Sequence, residues 1–222
     1  DVPHTLEDGL VIGAVPRRED PRDALIARAA RSIAELPRGA RVGTSSLRRV
    51  CQLKRLRPDL ALEPVRGNID TRIRKLETEG FDAIILAMAG LRRMGWEDRA
   101  SAPIPVEDCL PAVGQGALGV ECRADDEEML SLLRRYNDET TARAVEAERS
   151  FLAELNGGCQ VPIGAYAEIA GGEIRLTGMV GTPDGEVLLK ESMTGKDARL
   201  LGSDLARRLI KLGADRILAD VR

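Results

Sequence analysis

The chain has 222 residues, of which 43% are apolar and 2% aromatic, and its formal net charge is -3. This length suits two domains or parts of three with an aliphatic core, and the acidic balance excludes an overall cationic nucleic-acid binder. No apolar run approaches the roughly 20 residues that span a bilayer. The four dispersed cysteines and single histidine offer neither a zinc-site spacing nor a disulfide framework, so we expect a cytoplasmic protein.

Short apolar runs alternate with helix-like stretches in the first half of the chain. In chain order the pattern predicts a strand at 40–43, a helix from Thr44 to Leu56, a strand at 60–65, a helix capped by Asn68, a strand at 81–87 and a helix near Ala89. The run at 81–87 is typical of a strand buried on both faces. This alternation predicts an α/β unit with a mainly parallel sheet.

The second half of the chain has a different pattern. It comprises a predicted strand at 117–122, helices at 125–136 and 138–155, alternating segments at 163–169, 173–180 and 186–193, and a final helix at 197–212. The alternating segments predict a small α+β domain with a three-stranded antiparallel sheet. The spacing of the final helix predicts a row of inward leucines, Leu201, Leu205, Leu209 and Leu212.

Basic side chains are concentrated between residues 40 and 76, although the chain is acidic overall. Arg48 and Arg49 lie in the first turn of a predicted helix, and Arg66 follows a predicted strand. Helix N-termini and the carboxyl ends of strands are where α/β proteins bind anions. Arg72 falls on an apolar helix face, and Arg93 comes shortly after the strand at 81–87.

Arginine binds carboxylate or phosphate through two parallel hydrogen bonds. These positions therefore predict a ligand with several carboxylates or phosphates. The alternative is a solvated helix face, which usually explains a run of charge. Nucleic acid is the rival partner, and the scarcity of aromatic side chains for base stacking argues against it.

Cys159 lies in the segment NGGCQVPIGAY at 156–166, between the long predicted helix and the first strand of the C-terminal domain. Gly157 and Gly158 can turn the chain sharply. A cysteine on such a loop is a candidate attachment point or nucleophile, and the alternative is a small buried hydrophobic residue. We interpret Cys51 as a core residue, and a cysteine–histidine pair is disfavoured because His4 is the single histidine.

Five motifs occur in order along the chain: REDPRDA at 18–24, VGTSSLRR at 42–49, VRGNIDTR at 65–72, LPAVGQGALGVECR at 110–123 and GGCQVPIGAY at 157–166. Together they resemble the porphobilinogen deaminase family over the whole chain. The resemblance implies two α/β lobes similar to periplasmic binding proteins, with the active site between them, and the α+β domain carrying a cofactor cysteine. The implied division is domain 1 in residues 1–16 and 111–136, domain 2 in 17–110 and domain 3 in 137–222.

The resemblance also implies an activity and a set of site residues. The family joins porphobilinogen units into hydroxymethylbilane, with loss of ammonia, on a dipyrromethane cofactor held as a thioether, here at Cys159. Asp1 matches the catalytic aspartate, because the chain opens on D-V-P where the family has K-D-V-P. The implied cofactor-binding residues are Thr44, Ser45, Ser46, Arg48, Arg49, Arg66, Gly67 and Arg72, and the implied substrate-binding residues are Arg66, Arg72 and Arg93, with no metal.

The family has further residues before D-V-P, so we expect an incomplete domain 1 and little activity from the isolated chain. We expect a monomer that can associate through this incomplete domain, with neither a nucleic-acid nor a membrane partner. Gln115 and Gly116 are interpreted as an interdomain hinge, with ligand contact as the alternative. A competing hypothesis for the whole chain is a non-catalytic α/β module that binds small anions reversibly and does not need Cys159.

Overall fold

The computed structural model describes residues 6–156 and 161–221. Within these ranges the strands are β1 (Leu10–Ala14), β2 (Asp23–Ala27), β3 (Arg41–Gly43), β4 (Ala61–Glu63), β5 (Ala83–Ala87), β6 (Ala102–Pro103), β7 (Val120–Arg123), β8 (Ile163–Ala170), β9 (Glu173–Gly181) and β10 (Leu188–Gly195). The α-helices are α1 (Leu47–Leu56), α2 (Ile69–Thr78), α3 (Met88–Arg93), α4 (Glu127–Leu133), α5 (Glu139–Glu154), α6 (Ala198–Lys211) and α7 (Ala214–Val221). No helix in the described ranges has the length and apolarity needed to cross a bilayer.

A five-stranded sheet with the order β4-β3-β5-β2-β6 forms the α/β unit. β3 pairs in parallel with β4 and β5, whereas β2 pairs antiparallel with β5 and β6. The sheet is mixed, and the prediction of a mainly parallel sheet is wrong. The reason is β2, a strand absent from the predicted pattern. β2 is the first strand of this sheet in chain order, and residues 28–40, which connect it to β3, form no helix, so no helical crossover places β2 parallel to the strands that follow.

Both faces of this sheet are buried. Leu25 and Ile85 belong to the core cluster on one face, together with Leu53 of α1. Ile84 belongs to the cluster on the opposite face, together with Leu76 of α2. Neighbouring residues of β5 thus point to opposite sides, as strand geometry requires. The prediction of a strand buried on both faces at 81–87 is confirmed.

The first two helices begin where their caps were predicted. The Ser46 hydroxyl accepts the N–H of Arg49 at the start of α1, and the Asn68 side chain accepts the N–H of Thr71 at the start of α2. Each helix directly follows a strand, β3 and β4 respectively. The arginines of the first turn of α1 therefore lie beyond the carboxyl end of β3.

The C-terminal sheet has the order β10-β9-β8 and is antiparallel throughout, as predicted. Its core includes Phe151 of α5 and Leu205 of α6. α6 agrees with the predicted bounds to within one residue, but Gly213, with φ +107, turns the chain into a further helix, α7, which the sequence did not predict. Leu212 caps α6 and is 53% exposed instead of facing inward.

β1 and β7 form a separate two-stranded antiparallel sheet, with Leu10 opposite Arg123. α4 packs beside this pair. The structure thus brings together the two segments that the family resemblance places in domain 1, while the domain boundaries themselves stay a prediction.

The C-terminal domain contacts α1 through the turn between β9 and β10. Gly185 has φ +76 and donates its N–H to the Thr182 carbonyl at 3.0 Å. A Cβ atom at Gly185 would lie 2.6 Å from the carbonyl oxygen of Cys51. Cys51 is itself buried in a cluster with Met179 of β9, which fits its interpretation as a core residue. The C-terminal domain therefore packs directly against α1, the helix that contains Arg48 and Arg49.

Candidate functional site

Three hydroxyl side chains order the turn between β3 and α1. Thr44 is buried, and its Oγ1 accepts the N–H of Ser46 at 3.3 Å. The Ser45 hydroxyl donates to the Val65 carbonyl at 2.8 Å, which joins this turn to the segment after β4. Since Ser46 caps α1, all three predicted residues lie at one edge of the sheet and fix the start of the helix.

Arg48 and Arg49 lie on the buried side of α1, with 4% and 8% of their surface exposed. Both bind Asp23, the first residue of β2. Arg48 Nη1 donates to Asp23 Oδ2 at 2.8 Å, and Arg49 donates to Oδ1 from Nε at 3.0 Å and from Nη2 at 2.8 Å. Arg48 also donates to the Leu110 carbonyl at 2.7 Å and to Gln115 Oε1 at 3.2 Å, and Arg49 also donates to the Ile85 carbonyl at 3.2 Å.

Asp23 is fully buried and ionised at neutral pH. Burial alone would raise the pKa of its carboxyl group, but the charges of Arg48 and Arg49 and their hydrogen bonds hold that pKa well below its ordinary value. The Cys109 thiol donates to Oδ2 at 3.2 Å and Gln115 Nε2 donates to Oδ1 at 3.1 Å. The carboxylate is therefore surrounded by donors on both oxygens.

Arg72 lies half-buried on α2, and no described acid is paired with it. Its Nε donates to the Gly67 carbonyl at 2.7 Å. Burial, and then the nearby positive charge of Arg49, lower the pKa of the Arg72 guanidinium. The charges of Arg49 and Arg72 thus interact. Asp23 offsets the charge of Arg49, but no described carboxylate pairs with Arg72. Such a pair favours an anionic ligand.

The other predicted residues of the site are Arg66, Gly67 and Arg93, of which Gly67 contacts Arg72 through its carbonyl. Arg66 is exposed and pairs with no acid among the described residues. Gly67 has φ +121, and a Cβ there would lie 2.7 Å from Thr71 Cγ2, so this turn requires glycine. Arg93 Nη2 donates to the Gly116 carbonyl at 2.8 Å. No hydrogen bond between described residues joins Arg66 or Arg93 to Arg72.

Two predicted residues, Asp1 and Cys159, lie outside the described residues. Within the described ranges, no cluster of histidine, cysteine and acidic side chains is arranged to hold a metal ion. The site is therefore built from guanidinium, hydroxyl and backbone N–H groups, all of which suit anions.

Three charged residues that pair in and near this site were not predicted from the sequence. The first is Asp23. The second and third are Arg18 and Glu148, whose side chains form a bidentate pair at 2.6 and 3.1 Å, with Glu148 fully buried. Glu148 also accepts the N–H groups of Gly114 and Ala167, so four segments meet at one carboxylate. A signal was present, because both acids occupy positions on buried faces of regular elements, where a charge requires a partner.

Gln115 connects these two carboxylates. Its carbonyl oxygen accepts Arg18 Nε at 2.8 Å, and its side-chain oxygen accepts Arg48 Nη2 at 3.2 Å. Its side-chain nitrogen donates to the Pro21 carbonyl at 2.6 Å. Gln115 thus lies between the C-terminal domain and the arginines of α1.

Two family models match the chain: "Porphobilinogen deaminase, dipyromethane cofactor binding domain" over residues 1–131 and "Porphobilinogen deaminase, C-terminal domain" over residues 142–211. A porphobilinogen deaminase of Brevibacillus brevis is 57% identical over 222 residues, covering 100% of this chain and 72% of the relative. One of Halalkalibacterium halodurans is 54% identical over 224 residues, with 100% and 72% covered. A solved YaeC-family lipoprotein of Enterococcus faecalis is 14% identical over 60% of this chain and 64% of the lipoprotein chain, with a TM-score of 0.39. A TM-score this low does not show a shared fold.

Proposed function

This chain belongs to the porphobilinogen deaminase family, and from that premise we propose that its arginine cluster binds the carboxylates of the dipyrromethane cofactor and of porphobilinogen. The family's enzymes are transferases of tetrapyrrole biosynthesis, which join porphobilinogen units head to tail into hydroxymethylbilane with loss of ammonia. When bound through a thioether, the cofactor supplies the primer on which the chain of pyrroles grows.

The N–H donors of these arginines match the carboxylates of the cofactor. Each porphobilinogen-derived unit carries an acetate and a propionate, so cofactor and substrate together present several carboxylates. Arg72 is half-buried on α2, donates from Nε to the Gly67 carbonyl and pairs with no described acid, and this uncompensated guanidinium is the observation that carries the proposal. Arg66 and Arg93 likewise pair with no acid among the described residues. Guanidinium groups with free N–H edges bind carboxylates in two-point geometry.

Each residue has a proposed role. Arg48, Arg49 and Arg72 hold cofactor carboxylates, and Thr44, Ser45 and Ser46 order the helix start whose N–H groups face the same edge. Arg66 and Gly67 form the outer turn, and Arg93 serves the incoming substrate together with Arg66 and Arg72. By the family motif, Cys159 is the attachment point and Asp1 is the carboxylate that stabilises positive charge as ammonia leaves.

We propose further that the mixed sheet and the β1–β7 pair belong to two lobes of the periplasmic-binding-protein kind, divided from the C-terminal domain as the resemblance implies. The three separate sheets support this division. A cytoplasmic location is supported by the free thiols of Cys51, Cys109 and Cys122. We propose a monomer.

The proposal is tested with Arg72→Leu and with Arg74→Leu as its matched control. Both residues lie on α2, but Arg74 is exposed and pairs with Asp70. Loss of a charge-assisted contact weakens binding by about tenfold or more. We therefore expect Arg72→Leu to raise the dissociation constant for porphobilinogen, measured by titration calorimetry, by at least this factor, while Arg74→Leu stays within about twofold. Equal effects of the two variants would contradict the proposal.

Intact mass spectrometry distinguishes this function from a reversible anion-binding module. We expect the purified chain to carry an excess mass of one dipyrromethane, and Cys159→Ala to carry none. A module without chemistry would bind porphobilinogen equally well in both proteins and would show no excess mass. A mass excess that persists in Cys159→Ala would exclude Cys159 as the attachment point.

A further inference from the structure

We propose that Asp23 is a positioning residue of the cofactor site: its buried carboxylate holds Arg48 and Arg49 so that Arg49 faces the ligand beside Arg72. Asp23 does not itself contact the ligand in this proposal. The inference rests on the proposed function, because it assumes that these arginines bind carboxylates. Asp23 is the first residue of β2 and lies 25 residues before Arg48 in the sequence.

The geometry restricts Arg49 to one orientation. Its Nε and Nη2 atoms both donate to Asp23 Oδ1, at 3.0 and 2.8 Å, and its Nη1 donates to the Ile85 carbonyl at 3.2 Å. A guanidinium group has five N–H donors. Two N–H groups, on the terminal nitrogens, therefore have no partner among the described residues. These are the groups that a carboxylate ligand can use, and the bonds to Asp23 decide where they point.

Asp23 also offsets the electrostatic repulsion between Arg48 and Arg49. Arg48 and Arg49 are adjacent cations, nearly fully buried, and two such charges repel each other strongly in an interior of low dielectric constant. One carboxylate between them offsets this repulsion, and Gln115 and Cys109 keep it from rotating through bonds to opposite oxygens. Without the carboxylate, the two guanidinium groups would be uncompensated buried charges and would move towards solvent.

The alternative is that Asp23 serves stability alone. The two roles differ in what an added carboxylate does. If Asp23 orients Arg49, a small free carboxylate that fills the space left by Asp23→Ala restores the orientation and with it ligand affinity. In the unmodified chain the same free carboxylate can only compete with the ligand for Arg49 and Arg72.

The experiment measures the dissociation constant for porphobilinogen by titration calorimetry, in sodium formate and in sodium chloride of equal ionic strength. We expect Asp23→Ala to weaken binding by about tenfold or more in chloride, since misplaced binding groups forfeit oriented contacts. Formate is expected to strengthen binding to Asp23→Ala and to weaken binding to the unmodified chain. Melting curves on the same samples report the folded fraction.

Asp20→Ala is the matched control. Asp20 is also a buried carboxylate held by arginines, with a side chain 6% exposed, but its partners are Arg22 and Arg92. We expect its affinity for porphobilinogen to change by less than about twofold and formate to have the same sign of effect as in the unmodified chain. Asp23→Asn, which keeps the side-chain shape and leaves no space for formate, replaces the alanine variant in the chloride measurement if that variant does not fold.

A folded Asp23 variant with unchanged affinity in chloride, or a folded Asp23→Ala variant that formate weakens as it weakens the unmodified chain, would overturn the proposal. Failure of both Asp23 variants to fold, with or without formate, would show a purely structural role and would also overturn it. Arg72→Leu separates the two proposals. If Arg72→Leu binds normally, the proposed function fails, whereas weak binding by Arg72→Leu with normal binding by Asp23→Ala would refute the positioning role alone.

Discussion

Asp23 and Glu148 are fully buried carboxylates, and each is bound by arginine and by further N–H or S–H donors. A buried charge is tolerated when its hydrogen-bonding capacity is used, and removing one partner leaves the other unpaired in a medium that solvates it poorly. Arg18 adds a second interaction, because its guanidinium lies 5.2 Å from the centre of the Tyr166 ring. These residues tie the two halves of the chain together.

Replacement of Glu148 tests this linkage. Glu148→Gln removes the charge that faces Arg18, and breaking a buried pair in this way costs about 3 to 5 kcal/mol. We expect the free energy of unfolding, measured in urea, to fall by about this amount. The control is Glu146→Gln, two residues away on α5, whose partner Arg199 is 83% exposed; exposed pairs contribute about 0 to 1 kcal/mol. Equal losses in both variants would show that the Glu148 pair contributes no more than a surface pair.

At the level of residues, sequence reasoning located the basic groups but not their partners. Arg48 and Arg49 were recognised from the predicted strand and helix start, both of which depend on nearby residues. Asp23 is 25 residues from Arg48, and Gln115 is 67 residues from it. These contacts depend on the antiparallel placement of β2 and on the fold of the segment that contains Gln115. Neither follows from local periodicity, so the charge compensation of the site could not be predicted.

At the level of elements, local signals decided what could be predicted. The caps at Ser46 and Asn68, the apolar run of β5 and the alternation of β8 to β10 are all encoded within short windows, and all appear in the structure. β2 was missed because five residues, one of them charged, make a weak strand signal. Leu212 was wrongly placed inward because it continues the leucine spacing of α6, whereas the chain leaves the helix there and Gly213, with positive φ, leads into α7, which was not predicted.

The turn between β9 and β10 offers a test of the contact with α1. Gly185 and Gly171 both have positive φ, +76 and +59, but a Cβ at Gly171 meets nothing within 4 Å, whereas one at Gly185 meets the Cys51 carbonyl at 2.6 Å. Alanine at either position costs about 1 to 3 kcal/mol for the left-handed backbone. We expect Gly185→Ala to lose at least about 1 kcal/mol more than Gly171→Ala in urea unfolding, because overpacking adds to the strain. Identical losses of unfolding free energy in the two variants would mean that the turn between β9 and β10 accommodates the added Cβ atom at no cost in stability.

At the level of the whole molecule, one polar network runs between domains. Glu148 of α5 binds Arg18, Arg18 binds the Gln115 carbonyl, and the Gln115 side chain binds both Asp23 and Arg48. The C-terminal domain is thus connected to the arginines of α1 by consecutive hydrogen bonds as well as by the packing of Gly185. Since most of these links involve charged groups, the stability of the whole chain should depend on pH.

The shifted carboxyl pKa values of the described residues all move downward, because hydrogen bonds and arginine charges favour the ionised form in the folded state. The groups concerned are Glu19, Asp20, Asp23, Asp59, Glu63, Asp126, Asp138, Glu154 and Asp184. A lowered folded-state pKa adds stability that is complete above the unfolded value, about 4, and is lost as pH falls through the folded value. Stability should therefore decline below about pH 4.

The alkaline limit has a different origin and gives the sharper test. Burial raises the pKa of Cys51 to about 11 and that of Cys109 to about 12, with the negative charges of Asp184 and Asp23 adding to the effect. Because the folded state keeps these thiols protonated, their contribution to stability is complete below the unfolded thiol pKa, about 8.5, and is lost as pH rises above it.

We expect the urea midpoint to be flat between about pH 5 and 8 and to fall above that range. Cys109→Ala should make the alkaline decline shallower than in the unmodified chain. An unchanged slope in Cys109→Ala would show that the Cys109 thiol is not held neutral by its buried place beside Asp23.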